Sequence, residues 1–167
     1  MTIWTDRLDE LATGKAKLPQ AAERLNMGAL TSWEPGHVVK DWPLDQTLLN
    51  PGNVLFGGYL ACLADQMVNF TAMTVLTDNQ IARTSDLQIS YFRPVTEGPI
   101  KIEGRILNRS RALVHIVVTV MLPGGQLAAR ATGVVAVIAG QRAAQADGAQ
   151  AKPANAPAKL AKPAKKT

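Results

Sequence analysis

Residues 50–77 read NPGNVLFGGYLACLADQMVNFTAMTVLT, and the rest of the chain is organised around them. The turn formers Asn50, Pro51 and Gly52 lead through a short apolar run to the pair Gly57-Gly58. About 19 residues of helix former follow without a proline. Leu60, Leu63, Ala64, Met67, Val68, Phe70, Met73, Val75 and Leu76 cover nearly the whole circumference, which predicts a helix buried on all sides. Asp65, Gln66 and Asn69 interrupt it, and Asp65 and Asn69, four apart, share a face. A carboxylate in the middle of a buried helix is costly unless it is paired, solvated or used.

The flanking sequence predicts what surrounds this helix. Residues 3–12, with Ile3, Trp4, Leu8 and Leu11, read as a short amphipathic helix ended near Gly14, and a weaker helical stretch follows Leu18-Pro19. Residues 28–42 read as a hairpin or a long bent strand broken at Glu34-Pro35-Gly36. Beyond Asp78-Asn79 come four extended segments, 81–92, 99–108, 112–122 and 127–138. In the first, Leu87, Ile89 and Tyr91 alternate with Gln88, Ser90 and Phe92; in the second, Ile100, Ile102 and Ile106 alternate with Lys101, Glu103 and Arg105. Period-two alternation bounded by Pro94, Gly98, Arg109-Ser110 and Pro123-Gly124-Gly125 marks an antiparallel meander. One apolar helix beside one sheet of five to six strands is accommodated when the sheet curls around the helix, an α+β fold. The organisation expected is an N-terminal helical segment (1–25), a folded body (26–139) and a tail (140–167).

Composition restricts the function classes. At 167 residues and 47% hydrophobic, the chain suits one globular domain with an appendage. The most apolar stretch carries Asp65, Gln66 and Asn69, so no membrane span is expected. Residues 1–17 are charged and contain no signal-like apolar core, and the one cysteine, Cys62, cannot close an internal disulfide. Both point to the reducing cytoplasm. The net charge of +5 resides wholly in residues 140–167, where six basic side chains meet one acid, Asp147. That Ala/Lys/Pro-rich tail reads as disordered, either a solvated appendage or a weak attractor of anionic surfaces. The folded body is neutral, so no specific nucleic-acid partner is expected.

Gly57 and Gly58 have two readings. They either permit a tight turn into the helix or leave backbone N–H groups open at its positive end, where a carbonyl oxygen gaining negative charge can be held. Asp65 is either satisfied by Asn69, a threonine or the sheet backbone, or it is a working carboxylate. Eight residues separate Gly57 from Asp65, about 12 Å along the axis, so one carbonyl cannot touch both in a single chain. If both serve one reaction, two subunits related by a two-fold axis must share the site. His37 and His115 lie near no cluster with metal-ligand spacing, and no metal is expected. There is no glycine-rich phosphate loop and no serine nucleophile elbow.

The pattern Asn50…Gly52…Phe56-Gly57-Gly58…Asp65, followed by Thr84-Ser85-Asp86-Leu87 and by Tyr91-Phe92-Arg93-Pro94-Val95 with Gly98, resembles the hot-dog-fold acyl-CoA thioesterases of the phenylacetate-pathway type. The resemblance covers roughly residues 45–138. It implies a long helix wrapped by a curled antiparallel sheet, a homodimer or dimer of dimers with interfacial sites, and an acyl-CoA substrate with no further cofactor. It places Asp65 on the family's general base or nucleophile, Gly57 on the oxyanion N–H and Asn50 on an amide that orients the carbonyl or the water. Phe56, Gly58, Asn69 and Thr84 fall on positions that border the substrate. Arg109-Ser110-Arg111, in a turn between strands, is a candidate for contacting the phosphates of coenzyme A, with an ordinary charged turn as the other reading. One position departs. Many relatives carry histidine where this chain has Phe56, which leaves a non-catalytic acyl-CoA or acyl-chain binder as the alternative. A hydratase or dehydratase of the same fold is disfavoured because neither histidine lies in the turn or the helix.

Overall fold

The turn and glycine signals of the sequence become element boundaries. In the computed structural model, which describes residues 1–140, two short helices come first, α1 (Ile3–Ala12) and α2 (Gln20–Arg24). A hairpin follows, β1 (Ser32–Glu34) and β2 (His37–Trp42), turning at the expected Pro35-Gly36. A 3₁₀ turn at Gln46–Leu48 leads into α3 (Gly57–Met73), 17 residues long. The last four strands are β3 (Gln80–Tyr91), β4 (Ile100–Arg109), β5 (Leu113–Met121) and β6 (Leu127–Ala139). All six strands form one antiparallel sheet in the order β1-β2-β4-β5-β6-β3. It curls around α3, which packs on β2, β3, β4, β5 and β6. This is the α+β hot-dog architecture. Apart from Gly140, the tail expected at 140–167 lies outside the described residues.

Two glycines set how closely the sheet closes on α3. A Cβ on Gly104 of β4 would lie 2.1 Å from the Thr71 hydroxyl, and one on Gly133 of β6 would lie 2.6 Å from Val68. No side chain fits at either point, so the backbone itself forms the contact. Leu63, Ala64, Met67, Val68 and Ala72 are fully buried there against Ile102, Ile116, Val118 and Val135. Truncating Leu63 to alanine at such a site costs about 2–5 kcal/mol.

A bulge in β3 matters for the site. The register with β6 shifts between Thr84, opposite Val135, and Asp86, opposite Val134, leaving Ser85 unpaired. Its hydroxyl donates to the Val134 carbonyl at 3.0 Å. The extra residue switches the inward parity, so Thr84 before it and Leu87 and Ile89 after it all face α3.

The helix is not enclosed on all sides. Tyr59, Leu60, Leu63, Ala64, Met67, Val68, Thr71 and Ala72 are buried, whereas Gly58 and Cys62 are exposed and Ala61, Asp65 and Asn69 are half-buried. Those five form one stripe with helical spacing. The expectation of all-round burial rested on the large apolar residues, whereas the small Ala61 and Cys62 lie on a strip that the described residues leave uncovered. At the far end α1 closes the core with Leu8 and Leu11, and the Trp4 indole donates to the carbonyls of Thr77 and Gln80. No described helix is long and apolar enough to cross a membrane.

Candidate active site

The loop before α3 is built by Asn50. Its side-chain oxygen accepts from the backbone N–H of Gly52 (2.8 Å) and Val54 (3.2 Å), and its own N–H donates to the Val54 carbonyl (2.8 Å). The amide oxygen is thereby used up, and the NH₂ is left without a partner among the described residues. A cleft of about 360 Å³ opens between this loop and the end of β3, lined by Asn50, Val54, Leu55, Gly57, Leu60 and residues 91–95. Its wall is mainly apolar, with the Asn50 amide and Arg93 as polar groups.

Gly57 lies at the edge of this cleft as the first residue of α3. The N-cap residue Phe56 supplies no side-chain cap, and its carbonyl takes the N–H groups of Tyr59 and Leu60 at 2.9 and 3.2 Å. The N–H groups of Gly57 and Gly58 have no acceptor among the described residues. They point out of the positive end of a 17-residue helix, an arrangement suited to a developing oxyanion. Tyr91 fixes the turn by donating its hydroxyl to the Gly57 carbonyl at 2.8 Å. Burial, and secondarily the Cys62 sulfur, raise the Tyr91 pKa and keep it a donor. The Phe56 ring is 60% exposed and lies over Gly58, where a Cβ would meet it at 2.6 Å. It does not line the cleft of its own chain.

Asp65 lies two turns further on, half-buried on the open stripe. One carboxylate oxygen accepts from the Thr84 hydroxyl at 2.8 Å. The Thr84 oxygen accepts from the Asn69 amide at 3.0 Å, and the same amide donates to the Asp65 backbone carbonyl at 2.9 Å. An amide NH₂ can only donate, so the direction of this relay is fixed and the single Thr84 proton is committed to Asp65. The second carboxylate oxygen has no partner among the described residues. Of the two readings of Asp65, the threonine holds for one oxygen, while the other remains open to a water.

The predicted residues therefore fall into two groups. Asn50 and Gly57 border one cleft with Gly58 beside it, and Asp65, Asn69 and Thr84 form a hydrogen-bonded set that does not reach that cleft. Arg109, Ser110 and Arg111 are exposed in the β4–β5 turn. Ser110 holds the turn, its hydroxyl accepting from the N–H groups of Ala112 and Leu113. Arg109 pairs with Val114, Val114 with Val135 and Val135 with Thr84. The turn thus sits level with Asp65, three strand spacings or roughly 14 Å across the sheet. Neither arginine makes an ion pair among the described residues. Among those residues no group of three His, Cys, Asp or Glu could hold a metal.

Sequence reasoning gave no role to Tyr91 or to Lys40. Lys40 is buried on β2 beneath α3, and the parity of Val38, Lys40 and Trp42 was the available signal.

Comparison with known proteins agrees with this arrangement. The family model described as the thioesterase superfamily matches residues 52–129, which hold α3, β3, β4, β5 and the cleft lining other than Asn50. The match covers 78 of the 167 residues. A Saccharolobus solfataricus protein named "Putative esterase SSO2140" is 29% identical over 100 residues, 60% of this chain and 71% of its own. A solved Ralstonia eutropha JMP134 protein described as phenylacetic acid degradation-related and as a thioesterase by assignment superposes with a TM-score of 0.69 at 24% identity, covering 78% of this chain and 98% of its own. A Streptococcus mutans UA159 protein solved with acetyl CoA bound has a TM-score of 0.62 at 26% identity, over 68% of this chain and 90% of its own.

Proposed function

We propose that the protein is an acyl-CoA thioesterase that works as a two-fold dimer. The observation that carries this is the state of Asp65. It lies on the one uncovered stripe of α3 with one oxygen anchored by Thr84 and the other free, about 12 Å from a pair of N–H groups that lack acceptors. A second copy laid antiparallel on that stripe completes both. If Asp65 of one subunit faces Gly57 of the other, the axis passes beside Ala61, midway between them, where only small side chains intervene. The sheet order supports the same pairing, because β3 is a 12-residue edge strand with one side unpaired among the described residues, a template for β3 of a second copy.

In the shared site the thioester carbonyl accepts from the Gly57 N–H of one subunit, with the Asn50 amide beside it. Asp65 of the other subunit takes a proton from a water held near its free oxygen. The water oxygen bonds to the acyl carbon, and charge accumulates on the carbonyl oxygen at the helix N-terminus. The intermediate collapses by breaking the C–S bond, and the departing thiolate recovers the proton from Asp65. Direct attack by the carboxylate followed by hydrolysis of the anhydride gives the same products. The Arg109–Arg111 turn, on the Asp65 side, contacts the phosphates of coenzyme A, and no other cofactor is required. The lone Cys62 thiol fits a reducing, cytoplasmic compartment.

The test is free-thiol release from short, medium, long and aromatic acyl-CoAs by the wild type and by Asp65→Asn. Turnover that falls by about 100-fold or more in the variant supports a base or nucleophile. Binding of acyl-CoA without turnover of any of them selects the non-catalytic binder instead.

A further inference from the structure

Beside the open stripe lies a charged group that this reaction does not use. Lys40 is 1% exposed and makes no ion pair among the described residues. Its ammonium donates to the Met27 carbonyl at 2.8 Å, to the Gly28 carbonyl at 3.1 Å and to the Gln66 side-chain oxygen, and it sits 5.5 Å above the centre of the Phe70 ring. Three N–H donors meet three uncharged acceptors and the face of an aromatic ring. A buried charge without a counter-ion is costly to keep, and an apolar side chain of the same length would fill the space.

The three bonds join two segments. Residues 25–28 form a strap whose four consecutive carbonyls are all taken by side chains. Leu25 accepts from the Tyr59 hydroxyl, Asn26 from the Trp42 indole at 2.9 Å, and Met27 and Gly28 from Lys40. Burial, with Asp45 and Cys62 adding to it, pushes the Tyr59 hydroxyl up to about 12, so it stays a donor. The strap runs along α3 from Tyr59 to Gln66, on the flank opposite Thr84. Consecutive residues of one helical turn are thus held from two sides, Asp65 by Thr84 of β3 and Gln66 by Lys40 of β2.

We infer that Lys40 is a positioning residue for Asp65, fixing the rotation of the α3 turn that carries the carboxylate by tying Gln66 to the strap 25–28. The inference rests on the reading of Asp65 as the working carboxylate. A helix side chain ends roughly 6 Å from the axis, so a rotation of about 10° moves it about 1 Å, a misplacement on the scale that can cost 100-fold in rate. Without Lys40 the other flank is held only by the long bond from the Gln66 amide to the Gly28 carbonyl, at 3.4 Å.

The test uses the full-length protein slightly below neutral pH. In Lys40→Met, kcat falls by about 10-fold or more while KM stays within about 2-fold, the pattern of lost alignment rather than lost binding. Gln66→Glu keeps an acceptor for the ammonium and retains kcat. The double variant Lys40→Met/Gln66→Leu, apolar on both sides, recovers thermal stability without recovering kcat. Amide hydrogen exchange over residues 63–70 accelerates in Lys40→Met. An unchanged kcat in Lys40→Met, or a kcat that returns with stability in the double variant, overturns the inference. Unaltered exchange over residues 63–70 overturns it whether or not any substrate is turned over. Absence of thiol release by the wild type would count against the thioesterase reading alone.

Discussion

The two ends of the open stripe on α3 are incomplete in opposite senses. At its start, the N–H groups of Gly57 and Gly58 and the NH₂ of Asn50 are donors without acceptors, beside an apolar cleft. Two turns on, Asp65 presents an acceptor without a second donor, held in place by Thr84 and Asn69. In the proposed reaction neither end suffices alone: the first supplies donors for a carbonyl but no base, and the second a base but no donors for the carbonyl. Their separation of about 12 Å along one helix prevents them from meeting within a chain. In the proposed dimer an antiparallel copy brings each to the other's complement, and that proposal rests on the position of these groups as well as on the β3 edge left unpaired among the described residues.

The largest effect should come from removing the acceptor. Asp65→Asn keeps shape and the Thr84 contact but cannot take a proton, and turnover should fall by about 100- to 10,000-fold. Melting temperature should change little, because the residue is half-buried. Removing the donor is possible without disturbing the helix. Gly57 is the first helical residue, where proline is tolerated, and Phe56 before it is already extended at ψ 122°. Gly57→Pro therefore deletes one N–H and should be almost as damaging. Mixing the two inactive variants then tests whether the ends belong to different chains. Half of randomly assembled dimers carry one intact site of two, so activity should return to about a quarter of wild type. If both ends act within one chain, mixing restores nothing.

A smaller loss should follow from loosening the acceptor end. Thr84→Val removes the hydroxyl that orients Asp65 and leaves the Asn69 amide without its second acceptor. Losing such a bond to a charged group is worth about 1.5–3 kcal/mol, so kcat should drop by roughly 10- to 100-fold. If turnover is unaffected, the relay is only structural.

Much of this was legible in the sequence, and what was not has identifiable reasons. The glycine pair, the helix and four alternating strands are local patterns, and the turn residues punctuated them correctly. The register shift at Ser85 was hidden, because the extra residue lets Thr84 and Leu87, of opposite parity, both face inward without altering the composition. The open stripe was also hidden. Ala61 and Cys62 are small and uncharged, and such residues serve equally in a core and where a second helix approaches, so hydropathy does not separate the two. Lys40 showed the inward parity of β2, but its charge argued for the surface. Its acceptors at Met27 and Gly28 are backbone carbonyls of an irregular strap that no local pattern announces. For Asp65 the sequence offered both a satisfied and a working carboxylate, and the structure shows one oxygen held by Thr84 and the other without a partner among the described residues.

The strap and Lys40 also give the acceptor end a pH dependence that begins near neutrality. Burial pulls Lys40 from its usual 10.5 down to about 7. Between those values the unfolded chain binds the proton and the folded chain does not, so stability rises with pH through that window and the cost of burying the charge is fully present below about 7. The slope is at most about 1.4 kcal/mol per pH unit for one proton. Urea unfolding at neutral and mildly alkaline pH should show wild type gaining on Lys40→Met. Parallel behaviour of the two proteins would mean that Lys40 keeps its proton throughout.

The smallest expected effect concerns the Arg109–Arg111 turn, and it sharpens the comparison furthest because it asks which chain holds the coenzyme. The strand register puts this turn level with Thr84, on the Asp65 side. Both arginines are exposed, so each phosphate contact is screened by solvent and salt. Arg109→Gln/Arg111→Gln should raise KM by about 3- to 10-fold, less so at high salt, with kcat nearly unchanged. The mixed dimer then distinguishes the chains. Its one intact site takes Asp65 from the Gly57→Pro subunit and the Gly57 N–H from the Asp65→Asn subunit. Arginine substitutions on the Gly57→Pro subunit should therefore raise KM, while the same substitutions on the Asp65→Asn subunit should be silent. The reverse result would move the coenzyme to the donor end, beside Arg93 and the cleft, and leave the Asp65 end with the carboxylate alone.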